Sequence, residues 1–287
     1  MAARNQVTQV NMTSTFNKVG KKVVLPVLLV FLTIHLLKSP KRQGHVRQPA
    51  FSTSAVKCNK VPLDKMKSIL MSQDEEDKDL LTWFNGLCHG TYIEMGGLDG
   101  VELSNSHAFN KGPLGWKGVL IEPSERYNDL IKNRPNEIVT IRGAVCDTET
   151  IVHYVNMNAV GGIWEFAPDS FKSLWWEGIK VENLPQIKCS PLQTLLGEHA
   201  STSGIKYYDF FSLDVEGAEL LVLKSIDFDQ IGFGIILVEA DEHNQAKNLM
   251  IRSLLTRKGY QFLMEKSRSY WFANMHFDDI YGDILNG

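Results

Sequence analysis

The sequence predicts an α/β fold built on a mainly parallel, seven-stranded sheet with one antiparallel strand. Three observations lead there. Short apolar runs alternate with helix-like segments between residues 90 and 275; several of those runs end on an acid; and the last two follow each other with no helix between them. Regular alternation of strand and helix makes parallel strands covered on both faces, whereas two adjacent terminal strands require one to run antiparallel.

Taken in order, Asp64 to Leu81 reads as an acidic helical lead-in and Thr82 to Leu87 as a connector. A βαβαβ half follows: strand 91–94, a helix from Ser104, strand 117–121, a helix from Ser124 to Lys132, and strand 138–145. After an irregular insert the second half has strand 207–213, helix 217–225, strand 234–239, helix 244–258, then strands 260–265 and 269–275. No internal repeat is visible. A chain of 287 residues, 44% hydrophobic, suits one sizeable core plus a tail.

Tyr92-Ile93-Glu94-Met95-Gly96-Gly97-Leu98-Asp99-Gly100 reads as a buried strand ending in an acid and a glycine turn, the way a Rossmann-like sheet receives a nucleoside cofactor. The glycines permit a tight turn and a close approach to a ligand. The dinucleotide fingerprint needs glycine at position 95, which is Met, and the carboxylates of Glu94 and Asp99 would repel a pyrophosphate. Those acids suit a cation. S-adenosylmethionine carries a sulfonium and an ammonium and no phosphate. The plainer reading of this segment alone is an ordinary strand-to-helix turn with two surface acids.

Trp116 to Pro123 repeats the pattern, and Glu122 lies where a carboxylate accepts hydrogen bonds from ribose hydroxyls; otherwise it is a helix-leading acid. Ile141 to Asp147 ends on Asp147, a candidate acceptor for an adenine amino group or an ordinary turn aspartate. Tyr208 to Glu219 is a further strand, with Asp214, Glu216 and Glu219 around Gly217. Three acids at such a junction do not bury cheaply without a cationic or metal partner. A metal cluster is the rival to S-adenosylmethionine, but no histidine sits at a ligand spacing, and no metal is expected.

With these motifs in order, residues 90–275 resemble the FkbM-type family of S-adenosylmethionine-dependent methyltransferases. The resemblance rests on Glu94 to Gly100, Leu103-Ser104-Asn105, Gly115 to Pro123 and Leu213 to Glu219. It implies a Rossmann-like methyltransferase fold and S-adenosylmethionine as cofactor. It also implies cofactor-binding roles for Glu94, Gly96, Asp99, Gly100, Ser104, Asn105, Glu122 and Asp214, beside Asp147 above. The family often has Thr after Ser-Asn, where this chain has Ser106 and then His107, and Gly97 replaces a more usual Ala. Family members typically methylate hydroxyls on glycans or natural products. The invertebrate Star family, which joins a membrane segment to a similar domain and handles cargo without catalysis, is the alternative.

Methyl transfer is an in-line displacement, so the protein chiefly aligns the acceptor and excludes water; an alcohol acceptor also needs a base. Asp214, Glu216, Glu239 and His243 are the candidates at strand tips, His243 because an imidazole titrates near neutral pH. A surface histidine at a helix start fits His243 equally well. His107 is a second choice. Gly161 to Trp176 is dense in aromatics: Trp164, Phe166, Phe171, Trp175 and Trp176. It reads either as an acceptor lid or as a cap packed on its own core.

Charge divides the chain. Net charge is −3, yet residues 1–63 hold ten of the 30 Lys/Arg and none of the 33 Asp/Glu, so the tail is +10 and the body −13. An acidic body argues against a nucleic-acid partner. Residues 1–22 read as a basic N-terminal tail, 23–37 as a transmembrane signal-anchor candidate, 38–60 as a basic linker and 61–287 as the methyltransferase-like domain. The fifteen apolar residues Val23 to Leu37 span about 22 Å as a helix against a hydrocarbon core of about 30 Å. Flanking lysines and a thin secretory-pathway bilayer could close that gap. A single-pass anchor in the endoplasmic reticulum or Golgi is preferred, since the run starts far from Met1 and no Ala-x-Ala site follows. A cleaved signal peptide and a mitochondrial presequence, the latter on Arg47 to Ser54, are the alternatives. Flanking charge is nearly balanced and leaves orientation open. Cys58, Cys88, Cys146 and Cys189 form no Cys-x-x-Cys pair, and an even count leaves the redox compartment open. The partners implied are a hydroxyl-bearing acceptor and the membrane.

Overall fold

In the computed structural model the described residues are 51–240 and 244–286. The basic tail, the apolar run Val23 to Leu37 and His243 lie outside them. Among the described residues no helix is long and apolar enough to cross a membrane.

The chain enters on β1 (Val56–Lys57), which pairs antiparallel with β2 (Leu87–Cys88), and a Cys58–Cys88 disulfide ties the ribbon. Between them lie α1 (Leu63–Met66) and α2 (Glu76–Phe84). Acids in the first turn of α2 complement its dipole. The helix continues past Leu81 because Leu80, Leu81, Trp83 and Phe84 form one buried face. The expected connector from Thr82 is therefore helical as far as Phe84.

β3 (Thr91–Met95), β4 (Lys117–Ile121) and β5 (Val139–Ile141) form the first half, with α3 (His107–Lys111) and α4 (Tyr127–Asn133) between them. The expected strand 138–145 divides after Ile141. Its continuation, β6 (Ala144–Val145), joins β7 (Thr150–Val155), β8 (Gly162–Ile163) and β9 (Gln186–Ser190) in a separate four-stranded sheet of order β6-β9-β7-β8. The insert is thus ordered, with α5 (Asp169–Trp175) inside it, α6 (Leu192–Gly197) after it, and a Cys146–Cys189 disulfide joining β9 to the residue after β6.

β10 (Tyr207–Leu213), β11 (Gly232–Glu239), β12 (Tyr260–Lys266) and β13 (Ser269–Asn274) complete the main sheet, together with α7 (Glu219–Ser225), α8 (Gln245–Arg257) and α9 (Phe277–Asn286). Its order is β12-β13-β11-β10-β3-β4-β5, and β13 alone runs against its neighbours, as expected. Every residue of β10 and β11 is buried, the mark of strands covered on both faces. One face packs Ile93, Val119 and Phe211 against Leu192 and Leu195 of α6, Val222 and Leu223 of α7, and Ile251 and Leu255 of α8. Asn244 caps α8 by accepting from the Lys247 amide at 3.1 Å. The other face is aromatic: Tyr92 stacks on Phe210, Trp116 and Phe109 surround it, and Phe277 and Tyr281 of α9 close over Phe84. Connections leave β3 and β10 in opposite directions along the sheet, so the topological switch point lies between their carboxyl ends.

Candidate functional site

A cavity of about 490 Å³ opens at that switch point. Its walls come from the turn after β3 (Glu94, Gly96, Leu98), the tip of β4 (Ile121, Glu122), residues 143–145, the tip of β10 (Ser212, Asp214, Glu216) and Glu239 of β11. The insert roofs it with Tyr154, residues 158–163 and one side of α5.

Gly96 makes the close approach possible. Its φ is +82°, and a Cβ there would lie 2.0 Å from the Asp214 carbonyl oxygen. Any other residue would push β3 and β10 apart. Beside it, buried Glu94 accepts from Ser104 Oγ at 2.9 Å, the Asn105 amide at 2.6 Å and Ser106 Oγ, so its charge holds the 104–106 loop. Fully buried Arg134 locks the same loop from below. It donates to the Gly100 carbonyl (2.7 Å), Ser104 Oγ (3.2 Å), Ser106 Oγ (2.8 Å) and the Tyr92 hydroxyl (2.7 Å), and pairs with Glu137 at 2.7 Å. A Cβ on Gly100 would meet Arg134 Cγ at 2.5 Å. Gly100 and Ser104 therefore belong to this support and do not line the cavity.

Asn105 does line it. Its Nδ2 donates to Ser212 Oγ at 2.9 Å, while its Oδ1 is buried without a partner. Glu122, 1% exposed, also reaches the wall, accepting from the Leu98 and Ser124 amides at 2.8 Å each. Burial pushes its pKa up, and hydrogen bonds from the Ser124 side chain and from those amides restrain the rise.

Asp99 turns elsewhere. It accepts from the Val101 and Glu102 amides and pairs with Arg126 at 2.8 Å, off the cavity wall. Burial raises its pKa, but the hydrogen bonds from Glu102, Val101 and Arg126 outweigh that and lower it. Asp147 is exposed and also off the wall, which at that end is Gly143, Ala144 and Val145. His107 is buried at the start of α3 with Nδ1 3.0 Å from the Ile69 carbonyl oxygen; it does not face the cavity, and burial lowers its pKa. His243 lies outside the described residues.

The acids of the two strand tips do come together. Carboxylate oxygens of Asp214, Glu216 and Glu239 lie within 4.8 Å of one another, an arrangement able to hold a cation. Glu219 is not among them; it turns inward to Lys247 Nζ at 2.5 Å. Asp214 is open to the cavity, although protein encloses it on its other sides. Burial, then the charge of Glu216, raises its pKa to about 7. Burial and the charge of Glu239 raise that of Glu216 to about 9. Glu239 is also pushed well up by burial and Asp214, and the two carboxyls share a hydrogen bond, which requires a proton. Arg268, from the β12–β13 turn, pairs with Glu239. Glu216 is held in a left-handed conformation at φ +52°, a local strain that aims its carboxylate over the cavity.

Sequence reasoning missed Tyr154, Arg268 and Arg134. Tyr154 is buried on the roof near Glu122 and Glu216, where burial and those charges raise its pKa. Nothing local in the Thr150 to Val155 strand marks it. The aromatic segment divides: Trp164 and Trp176 stack in a small core of the insert, Trp175 lines the cavity, and Phe171 does both.

No curated protein sequence matches the chain. Among solved structures it is similar to a ribosomal protein L11 methylase from Lactobacillus delbrueckii subsp. bulgaricus, with a TM-score of 0.31 and 12% identity over 64% of this chain and 68% of that one. It is also similar to a SAM dependent methyltransferase from Aquifex aeolicus, with a TM-score of 0.33 and 12% identity over 74% of this chain and 96% of that one. Likeness this slight says nothing of substrate. The profile of the methyltransferase FkbM domain, in contrast, matches residues 90–262, more than half of the chain. The match spans the strand tips that build the cavity from β3 to β11, and this chain belongs to the FkbM methyltransferase family.

Proposed function

We propose that this chain is an S-adenosylmethionine-dependent O-methyltransferase acting on a hydroxyl of a glycan or small molecule. The observation that carries the reading is the acid-lined cavity at the switch point, with Glu122 at the tip of β4 and Asp214 across the sheet. The wall fits the cofactor's chemistry. Glu122 accepts from the Leu98 and Ser124 amides and from the Ser124 side chain, which orients its carboxylate toward a ribose hydroxyl, and the unpartnered Asn105 Oδ1 suits an ammonium. When bound, S-adenosylmethionine supplies a methyl group on a positively charged sulfur. Asp214, with its pKa raised to about 7, is matched to take the proton of an acceptor hydroxyl at neutral pH.

We place the domain in an oxidising lumen, tethered by the Val23 to Leu37 run. Two disulfides support this, since they persist there and are rare where thiols are kept reduced. The mitochondrial alternative needs processing within Arg47 to Ser54. Phe51 packs against Tyr207, and Thr53 Oγ1 donates to buried Asp209, so a cut beyond them would strip a hydrogen bond from an acid in the core.

Calorimetry of the full-length chain with S-adenosylmethionine tests the first proposal. Binding is expected, and Glu122→Gln is expected to weaken it by about 1–3 kcal/mol through the lost charge-assisted hydrogen bond. Absence of heat at millimolar cofactor removes the methyltransferase reading.

A further inference from the structure

Helix α5 has no buried residue, yet Phe171, Leu174 and Trp175 all line the cavity. Their spacing of three and four puts them on one face. Leu174 is 63% exposed and Trp175 40%, and Leu103, 36% exposed, also lines the cavity. The small core of the insert does not use Leu174 or Trp175. That core is Trp176, stacked on Trp164 at 5.9 Å, edge-on to Phe171 at 5.2 Å, and donating from Nε1 to the Val160 carbonyl at 2.9 Å. The mouth of a cavity with a polar floor is therefore lined by bulky apolar groups left to solvent, the pattern of a surface covered by a ligand.

Charge narrows what that ligand is. The acids on the wall are Glu94, Glu122, Asp214, Glu216 and Glu239; Arg268 is the one cation among the described lining residues, and Glu239 already pairs with it. A phosphate, sulfate or carboxylate on the acceptor would find no free cation there to offset its desolvation. A sugar could lay a C–H face on Trp175, but Leu103, Phe171 and Leu174 at the same mouth offer no acceptor for its rim hydroxyls.

We propose that the acceptor is an uncharged alcohol carried on an apolar body, which seats against Phe171, Leu174 and Trp175 and turns its hydroxyl toward Asp214 and Glu216. The inference rests on the methyltransferase reading and narrows its substrate class.

The test is photolabelling of the full-length chain with a diazirine-bearing dodecanol, followed by peptide mapping. Adducts are expected on the segment 169–176, removed by excess dodecanol but not by maltotriose or dodecyl phosphate. Leu174→Ser combined with Trp175→Ser, at exposed positions where the fold tolerates change, is expected to reduce the labelling several-fold with the melting temperature unchanged. Adducts elsewhere, equal competition by maltotriose or dodecyl phosphate, or undiminished labelling of the double variant overturns the proposal. Calorimetry with S-adenosylmethionine on the same sample separates the two readings: cofactor heat with labelling elsewhere removes the acceptor assignment alone, and no cofactor heat removes the methyltransferase reading itself.

Discussion

Arg134 shows how a buried cation can build the turn after β3 without touching the cavity. Its guanidinium satisfies the Gly100 carbonyl, two serine hydroxyls, the Tyr92 hydroxyl and Glu137 at once. Replacing it by Met leaves Glu137 buried without its counter-charge, and we expect a loss of about 3–5 kcal/mol in chemical denaturation. Nothing in Arg134-Pro135-Asn136-Glu137 announces this, because every partner but Glu137 lies 28 to 42 positions away. Glu94, Gly96, Glu122 and Asp214 were legible because a strand followed by an acid or glycine is a local pattern that fixes a place at the sheet edge. Asp99 belonged to the same local pattern, yet its carboxylate is drawn to the Val101 and Glu102 amides and to Arg126. At the opposite wall, Asp214 and Glu216 hold protons more tightly in the folded state than in the unfolded one. The stability they contribute is full below their ordinary values of 3.8 and 4.5 and is lost as pH rises through about 7 and about 9. Glu216→Gln should therefore melt higher than the parent at pH 8, with the difference shrinking toward pH 4; a scanning-calorimetry series over that range measures it.

Strands long enough to be buried on both faces declare themselves as apolar runs, which is why β3, β4, β10 and β11 fall close to their expected places. The insert does not. β6 and β8 have two residues each, and β7 buries only part of its length, so neither a continuous run nor a clean alternation marks them. α9 was equally hidden, a short helix after the last strand that buries Phe277 and Tyr281 against α2. The small sheet has a functional consequence, because Ala144 and Val145 of β6 form cavity wall and Cys146 next to them is bonded to Cys189 of β9. With the two cysteines 43 positions apart, loop-closure entropy puts the stabilisation at about 2–4 kcal/mol. Cys146→Ser with Cys189→Ser is expected to lose that much stability. Hydrogen exchange should rise first in β6 and β9, with the aromatic face of the main sheet still protected.

At the scale of the whole chain, sequence pattern set out the seven strands and the single antiparallel one, since alternation of elements constrains topology strongly. It left open how the body relates to its compartment, because four cysteines without a motif carry no pairing information. Pairing links the ends of two otherwise weak substructures, the β1–β2 ribbon and the insert sheet. A domain whose small parts lean on such links suits an oxidising lumen, and the ten Lys/Arg and apolar run ahead of it suit a tether. Expressed in cells, the full-length protein should resist carbonate extraction from the secretory membranes, and its body should be protected from protease until the vesicles are opened. Its thiols should react with an alkylating reagent only after reduction. A soluble matrix protein shortened at its N-terminus, with thiols that react at once, would instead assign the chain to mitochondria and leave both disulfides without a compartment to maintain them.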